Sequence, residues 1–138
     1  MTTILIIIVL VMAALFLVLQ RPPADVHAQP LDVTGRTPLS DEEWLARFYS
    51  TSQMDKAAIV KVRDHVAGRS TLAPGLLDPT DPLDQLAAAG GLNRAMLVAD
   101  LMTTFPEAEG AISRKMLAGE FTLLHHAIVL VASAPAAP

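Results

Sequence analysis

From Ile4 to Leu19 the chain is apolar at every position (ILIIIVLVMAALFLVL), and no charged residue occurs before Arg21. With Thr2, Thr3 and Gln20 the run predicts a helix of roughly 28 Å within residues 1–20, close to the hydrocarbon thickness of a bilayer. Such a helix satisfies its own backbone hydrogen bonds, as lipid requires. It also lacks the polar face of a helix at a protein surface. The expectation is a single-pass membrane anchor whose contacts with the lipid bilayer include Ile4, Ile8, Val11, Leu15 and Leu19. A signal peptide is the competing reading, with Val26-His27-Ala28 as a small-residue cleavage site before Gln29. The run is long for a signal core, and no Lys or Arg precedes it. Arg21 and Arg36 follow the span, so the positive-inside rule places the carboxyl-terminal domain in the cytoplasm (N-out, C-in). The reverse orientation stays open.

Beyond the span the pattern becomes amphipathic and helical. Residues 21–39 (RPPADVHAQPLDVTGRTPL) are rich in proline and read as a semi-extended tether. Ser40-Asp41-Glu42-Glu43 has the form of a capping box, and Trp44, Leu45, Phe48 and Tyr49 follow at helical spacing. This predicts a helix over 41–49 inside a short segment 40–53. Ser52-Gln53-Met54-Asp55 is a second helix start. Ala58, Ile59, Val62 and Val66 then form one apolar face, with Lys56, Lys61, Arg63 and Asp64 opposite, and Gly68 as the stop. A loop carrying Pro74, Pro79 and Pro82 follows, pinned to the core by Leu72, Leu76, Leu77 and Leu83. A helix over about 92–105 presents Leu92, Met96, Leu97, Leu101 and Phe105 on one side and is closed by Pro106. A short helix near 111–117, a last helix over about 120–132 and a tail (133–138) complete the chain. No strand alternation occurs, so the expected class is all-α, with a single domain over 54–132.

Composition narrows the function classes. The soluble part, about 100 residues, suffices for one modest core. There are no cysteines, which removes disulfides, thiolate metal sites and cysteine nucleophiles. Ten basic and 14 acidic residues give a net charge of −4. They form no basic cluster, so nucleic acid is not an expected partner, and no polybasic stretch marks anionic lipid recognition.

The segment Leu72–Leu86 (LAPGLLDPTDPLDQL), followed by Leu92-Asn93-Arg94-Ala95-Met96-Leu97-Val98-Ala99-Asp100-Leu101 through Phe105, resembles the acyl carrier proteins. The likeness covers roughly residues 54–132. It implies a four-helix bundle in which a long loop leads into the second helix. In that family the second helix opens on Ser-Leu-Asp, and its serine holds a phosphopantetheine arm. Counted back from Phe105, that serine falls on Gly91, which has no hydroxyl. The acidic second helix read by carrier partners is also missing, since only Arg94 and Asp100 are charged. The resemblance therefore implies a degenerate carrier without its cofactor. Gly90-Gly91 reads as a loop end before a helix capped by Asn93 or Gly91. The other reading is a small-residue site for close approach of a ligand or backbone.

The remaining candidates suggest little chemistry. His125 and His126 diverge by about 100° on a helix and lack a third ligand at i+3 or i+4. His65 reads as solvated or capping, and Asp78, Asp81 and Asp84 as turn formers. No Ser-His-Asp set, carboxylate pair or phosphate-binding loop is present. The expectation is a non-enzyme without cofactor or metal. Trp44, Phe48, Leu92, Arg94 and Val129 are the candidate partner-facing residues. The function expected is that of an accessory or assembly subunit in a larger membrane complex. The alternatives are a tethered acyl-chain or lipid-handling protein lacking the usual serine, and a secreted domain beginning at Gln29.

Overall fold

The computed structural model describes residues 2–20 and 28–133, with side chains for 2–17 and 28–133. The first part of the expected tether, the Val26-His27 half of the cleavage site and the tail beyond Ser133 lie outside the described residues. Among the described residues seven α-helices follow one another: α1 (Thr2–Gln20), α2 (Asp41–Tyr49), α3 (Lys56–Ser70), α4 (Leu83–Ala89), α5 (Arg94–Thr104), α6 (Glu109–Leu117) and α7 (Leu124–Ala132). Short 3-10 turns stand at Pro74–Leu76 and Pro106–Ala108. Among the described residues the only strand-like pairing is one antiparallel bridge between Pro82 and Leu123.

The membrane anchor needs correction. The apolar run does form α1, and Ile4, Ile8, Val11 and Leu15 are exposed on it, while Leu19's side chain lies outside the described residues. Yet among the described residues no helix is long and apolar enough to cross a membrane. The single-pass architecture and the cytoplasmic placement of the domain fall with it, because the charge rule orients only a helix that spans.

The class is all-α, as the periodicity implies, and several caps form where the residues predict them. Ser40 Oγ accepts the Glu43 N–H at 3.2 Å while Glu43 reaches back to the Ser40 N–H at 3.4 Å, completing the capping box of α2. Asp55 caps α3 in place of Ser52, its Oδ1 accepting the Ala57 N–H at 3.1 Å. Gly68 does not stop α3. The helix runs to Ser70, and Thr71 takes the left-handed turn at φ 57°, so that Leu72 N–H closes on Ala67 O at 3.0 Å. The expected proline loop contains a helix of its own, α4. The helix expected from 120 begins only at Leu124, because Leu123 is paired with Pro82 and Thr122 O accepts the Leu83 N–H at 2.8 Å.

The core gathers around α3, which packs against α7 and α4. Ile59, Val62 and Val66 meet Leu83, Leu86, Leu97, Leu101, Leu124 and Ile128, all fully buried. α2 belongs to this core. Trp44 has no exposed surface and donates its indole N–H to Leu77 O at 2.7 Å. Arg63, expected on the solvated face of its helix, is 1 % exposed. Its guanidinium lies 5.0 Å from the Trp44 ring centroid and reaches Asp41 at 2.5 Å and Asp64 at 2.7 Å. Its buried Nη1 has no hydrogen-bond partner among the described residues, so the ring face supplies part of the compensation.

The described half of the tether does not hold the domain at a distance. It lies on it. Leu31 N–H donates to Gln85 O at 3.2 Å and Leu39 N–H to Gly75 O at 3.0 Å. Arg36 forms a two-pronged pair with Asp81, both contacts at 2.9 Å. The Asp81 side chain is buried and Arg36 one-third exposed. Arg36→Ala strands that carboxylate, and the expected loss is roughly 3 kcal/mol of unfolding free energy, read from urea midpoints.

The two adjacent glycines do different work. Gly91 sits at φ +74° and ends α4, with its N–H on Ala88 O at 3.0 Å and the Leu92 N–H on Ala87 O at 2.8 Å. Gly90 is a site of close backbone approach, where a Cβ would lie 1.8 Å from Arg69 O at the end of α3. Gly90→Ala is therefore expected to cost about 3 kcal/mol, the upper end for overpacking. Gly91→Ala, with open space around it, costs only the left-handed penalty of about 1 kcal/mol. Thermal melts of the two variants check the order.

Candidate functional site

α5 is the element whose two sides differ most in what they offer. Its start is set by Asn93, whose Oδ1 accepts the Met96 N–H at 2.8 Å. Its inner side buries Leu97, Val98 and Leu101. Its outer side presents Met96, Ala99 and Thr103, with Arg94 exposed in its first turn and Leu92 half-buried just before the helix. Met96 was expected on the same side of the helix as Leu97 and Leu101, yet it is 52 % exposed. Adjacent positions on a helix diverge by about 100°, and Leu97 takes the inward one. Within the folded domain only Met96 and Leu117 are large apolar side chains this open.

Two clefts flank Met96. One, of about 530 Å³, is bounded by Ala28, Pro30, Asp84, Gly91, Asn93 and Arg94. The other, of about 410 Å³, lies between Leu92, Ala99, Asp100 and Thr103 on α5's side and Arg69 at the end of α3. Met96 lines both and forms the ridge between them.

The charges of this surface are unevenly available. Asp100 is engaged from α3 by His65 Nε2 and by Arg69, whose Nε contact is 2.9 Å. The Arg69 guanidinium, helped by the His65 contact and opposed by burial, holds the Asp100 carboxyl below the usual carboxylate range. Arg94 forms no ion pair among the described residues. The outward charge of α5 is thus a single cation beside an apolar ridge.

The Asp100–His65 contact does not make a catalytic relay. Thr104 Oγ1 lies 3.4 Å from the same nitrogen, Nε2, that meets Asp100. In a triad the acid and the nucleophile sit on opposite ring nitrogens. His65 also packs edge-on against Phe105, with centroids 5.7 Å apart. His125 and His126 are separately engaged. His125 Nδ1 hydrogen-bonds with the Tyr49 hydroxyl at 2.8 Å, and His126 Nδ1 accepts two backbone N–H groups. Burial pushes the Tyr49 phenol up to about 12. Among the described residues no group of three His, Cys, Asp or Glu side chains converges as a metal site would require.

The five partner-facing candidates disperse. Leu92 and Arg94 share the α5 surface. Trp44 is buried and presents nothing to a partner, because its ring is the floor on which Arg63 rests. Phe48 is half-buried at a cleft beside Arg36 and Arg47, and Val129 at another between α6 and α7. Sequence reasoning missed the His65–Asp100–Arg69 cluster. Its one sequence signal was that His65 and Arg69 stand four apart on a helix, hence on one face.

No family model, curated protein or solved structure matches the chain.

Because Asp100's carboxyl is held low by contacts that exist only in the fold, its contribution is full above the unfolded carboxylate range. It is lost as pH falls through the folded value. The stability gap between the native chain and Asp100→Asn should be at its full size above about pH 5 and should narrow as pH falls below the ordinary carboxylate value of about 3.9. Urea titrations at stepped pH check this.

Proposed function

We propose that the folded part of the chain, residues 28–133, is a non-catalytic protein-binding module, acting as an accessory or assembly subunit. The partner is received on the outer side of α5. The resemblance of the sequence to the acyl carrier proteins, whose second helix is the surface partners read, supports this placement. Gly91 falls where the carrier serine would be and the family's acidic docking face is missing, so this surface would receive a partner of different chemistry and without a tethered group. The observation that carries this reading is Met96, 52 % exposed between two clefts, with Arg94 beside it and no ion pair for Arg94 among the described residues.

Those features define the partner's chemistry. It is a protein segment with aliphatic side chains for the two clefts and a carboxylate for Arg94. Burying the Met96 side chain is worth about 2 kcal/mol, the scale of an interface anchor. The alternative of an acyl chain held inside the domain lacks a comparable observation, because the interior is occupied by Trp44, Phe121 and the aliphatic side chains around them.

A photo-cross-linking residue at position 96 of the full chain, expressed in its own cells, should trap one protein in fixed ratio. The same residue at exposed Glu107 should not. Adding Arg94→Glu should abolish the cross-link, and Met96→Asp should weaken binding of the trapped protein about thirtyfold, with the melting temperature little changed. No cross-link from position 96, or equal trapping from both positions, would overturn the proposal.

A further inference from the structure

The start of α7 is held by a titratable group. After α6 the chain turns at Gly119 and runs through Glu120–Leu123 without helical bonding. One side of this turn is tied to the start of α4. Thr122 O accepts the Leu83 N–H at 2.8 Å, Leu123 bridges Pro82, and Leu124 N–H donates to Asp81 O at 3.0 Å. The other side is tied by one side chain. His126 Nδ1 accepts the N–H groups of Thr122 and Leu123, both at 3.1 Å. Helix starts usually take this bond from Glu or Gln at the third helical position, neither of which changes charge near neutrality. An imidazole nitrogen accepts only while it carries no proton, so His126 must be neutral with its hydrogen on Nε2.

We propose that His126 is a pH-sensitive latch. When neutral it clamps the 120–123 turn against the start of α4, and when protonated it sets a donor against two donors and releases the turn. The side chain uncovered by release is Phe121, which is 2 % exposed in the closed state.

The surroundings favour a neutral latch. The titratable groups acting on His126 are His125 on α7, Lys115 on α6 and Glu120 in the turn, with none from α3, which packs against α7. Glu120 is the one group that favours the charged ring, and it is already paired with Lys115 Nζ at 2.8 Å. Burial first, then His125 and Lys115, hold the imidazole below its ordinary range. A His whose folded value is depressed stabilises the fold above the unfolded value of about 6.5, and that stability is lost as pH falls through the folded value.

The test uses the full chain and nuclear magnetic resonance. Ring nitrogen shifts should show His126 with a bare Nδ1 at neutral pH and a midpoint below about 6.5. Hydrogen-exchange protection of the Thr122 and Leu123 amides, corrected for intrinsic rates, should fall at least about tenfold from pH 8 to pH 5. His126→Gln keeps an acceptor at the third helical position that does not titrate. In that variant the protection should be the same at both pH values. A proton on Nδ1 at neutral pH, a midpoint at or above the ordinary value, or the same pH response in His126→Gln would overturn the proposal. The first two readings are made on the native chain and stand even if the variant fails to fold.

Discussion

The buried carboxylate of Asp81 is the constraint on which the rest of the domain depends. Its oxygens take the Arg36 guanidinium from the amino-terminal segment and the Asp78 N–H from the preceding turn, while its carbonyl takes the Leu124 N–H from α7. Three parts of the chain far apart in sequence are thereby fixed to one residue. A charge placed this deep is tolerated only when its partners are complete. The knot therefore forms as a unit, and Pro82 beside it directs the chain into α4.

From that knot the positions of the two ends of α4 follow. Its start is set against the Thr122–Leu123 turn, and its end is pressed so close to α3 that Gly90 has no room for a side chain. Gly91 then reverses the chain into α5. The site and the scaffold are consequently one problem: the geometry that buries Leu97 and Leu101 is what turns Met96 outward. The carboxylate of α5 is drawn back into the scaffold by Arg69 and His65, which leaves Arg94 and an apolar ridge as what a partner meets.

The same economy recurs at α7. The turn before it lacks a local cap of the usual kind, since Phe121, Thr122 and Leu123 are committed to the core and to α4. The capping acceptor comes instead from within the helix, from His126. A titratable side chain in that place couples the closure of the turn to its own protonation, and through the Pro82–Leu123 bridge to the Asp81 knot.

What the sequence by itself determined was local. The helical class, α2 with its Ser40 box, the Asn93 cap and the burial of Leu77 and Leu83 all follow from neighbours within about four residues, the range over which periodicity and capping act. The tertiary structure decided what depends on residues far along the chain. It buried Arg63 because Trp44 and Asp41 arrive from another helix to receive it. It hid Trp44 and exposed Met96 because the position of α3 determined which side of each helix faced inward. It converted half of an apparent tether into part of the core through Arg36 and Asp81. An apolar run such as that of α1 declares its helix locally, yet among the described residues no helix is long and apolar enough to cross a membrane. Pairings between distant residues have no signature in spacing, because the free energy that selects them exists only once both partners are buried together.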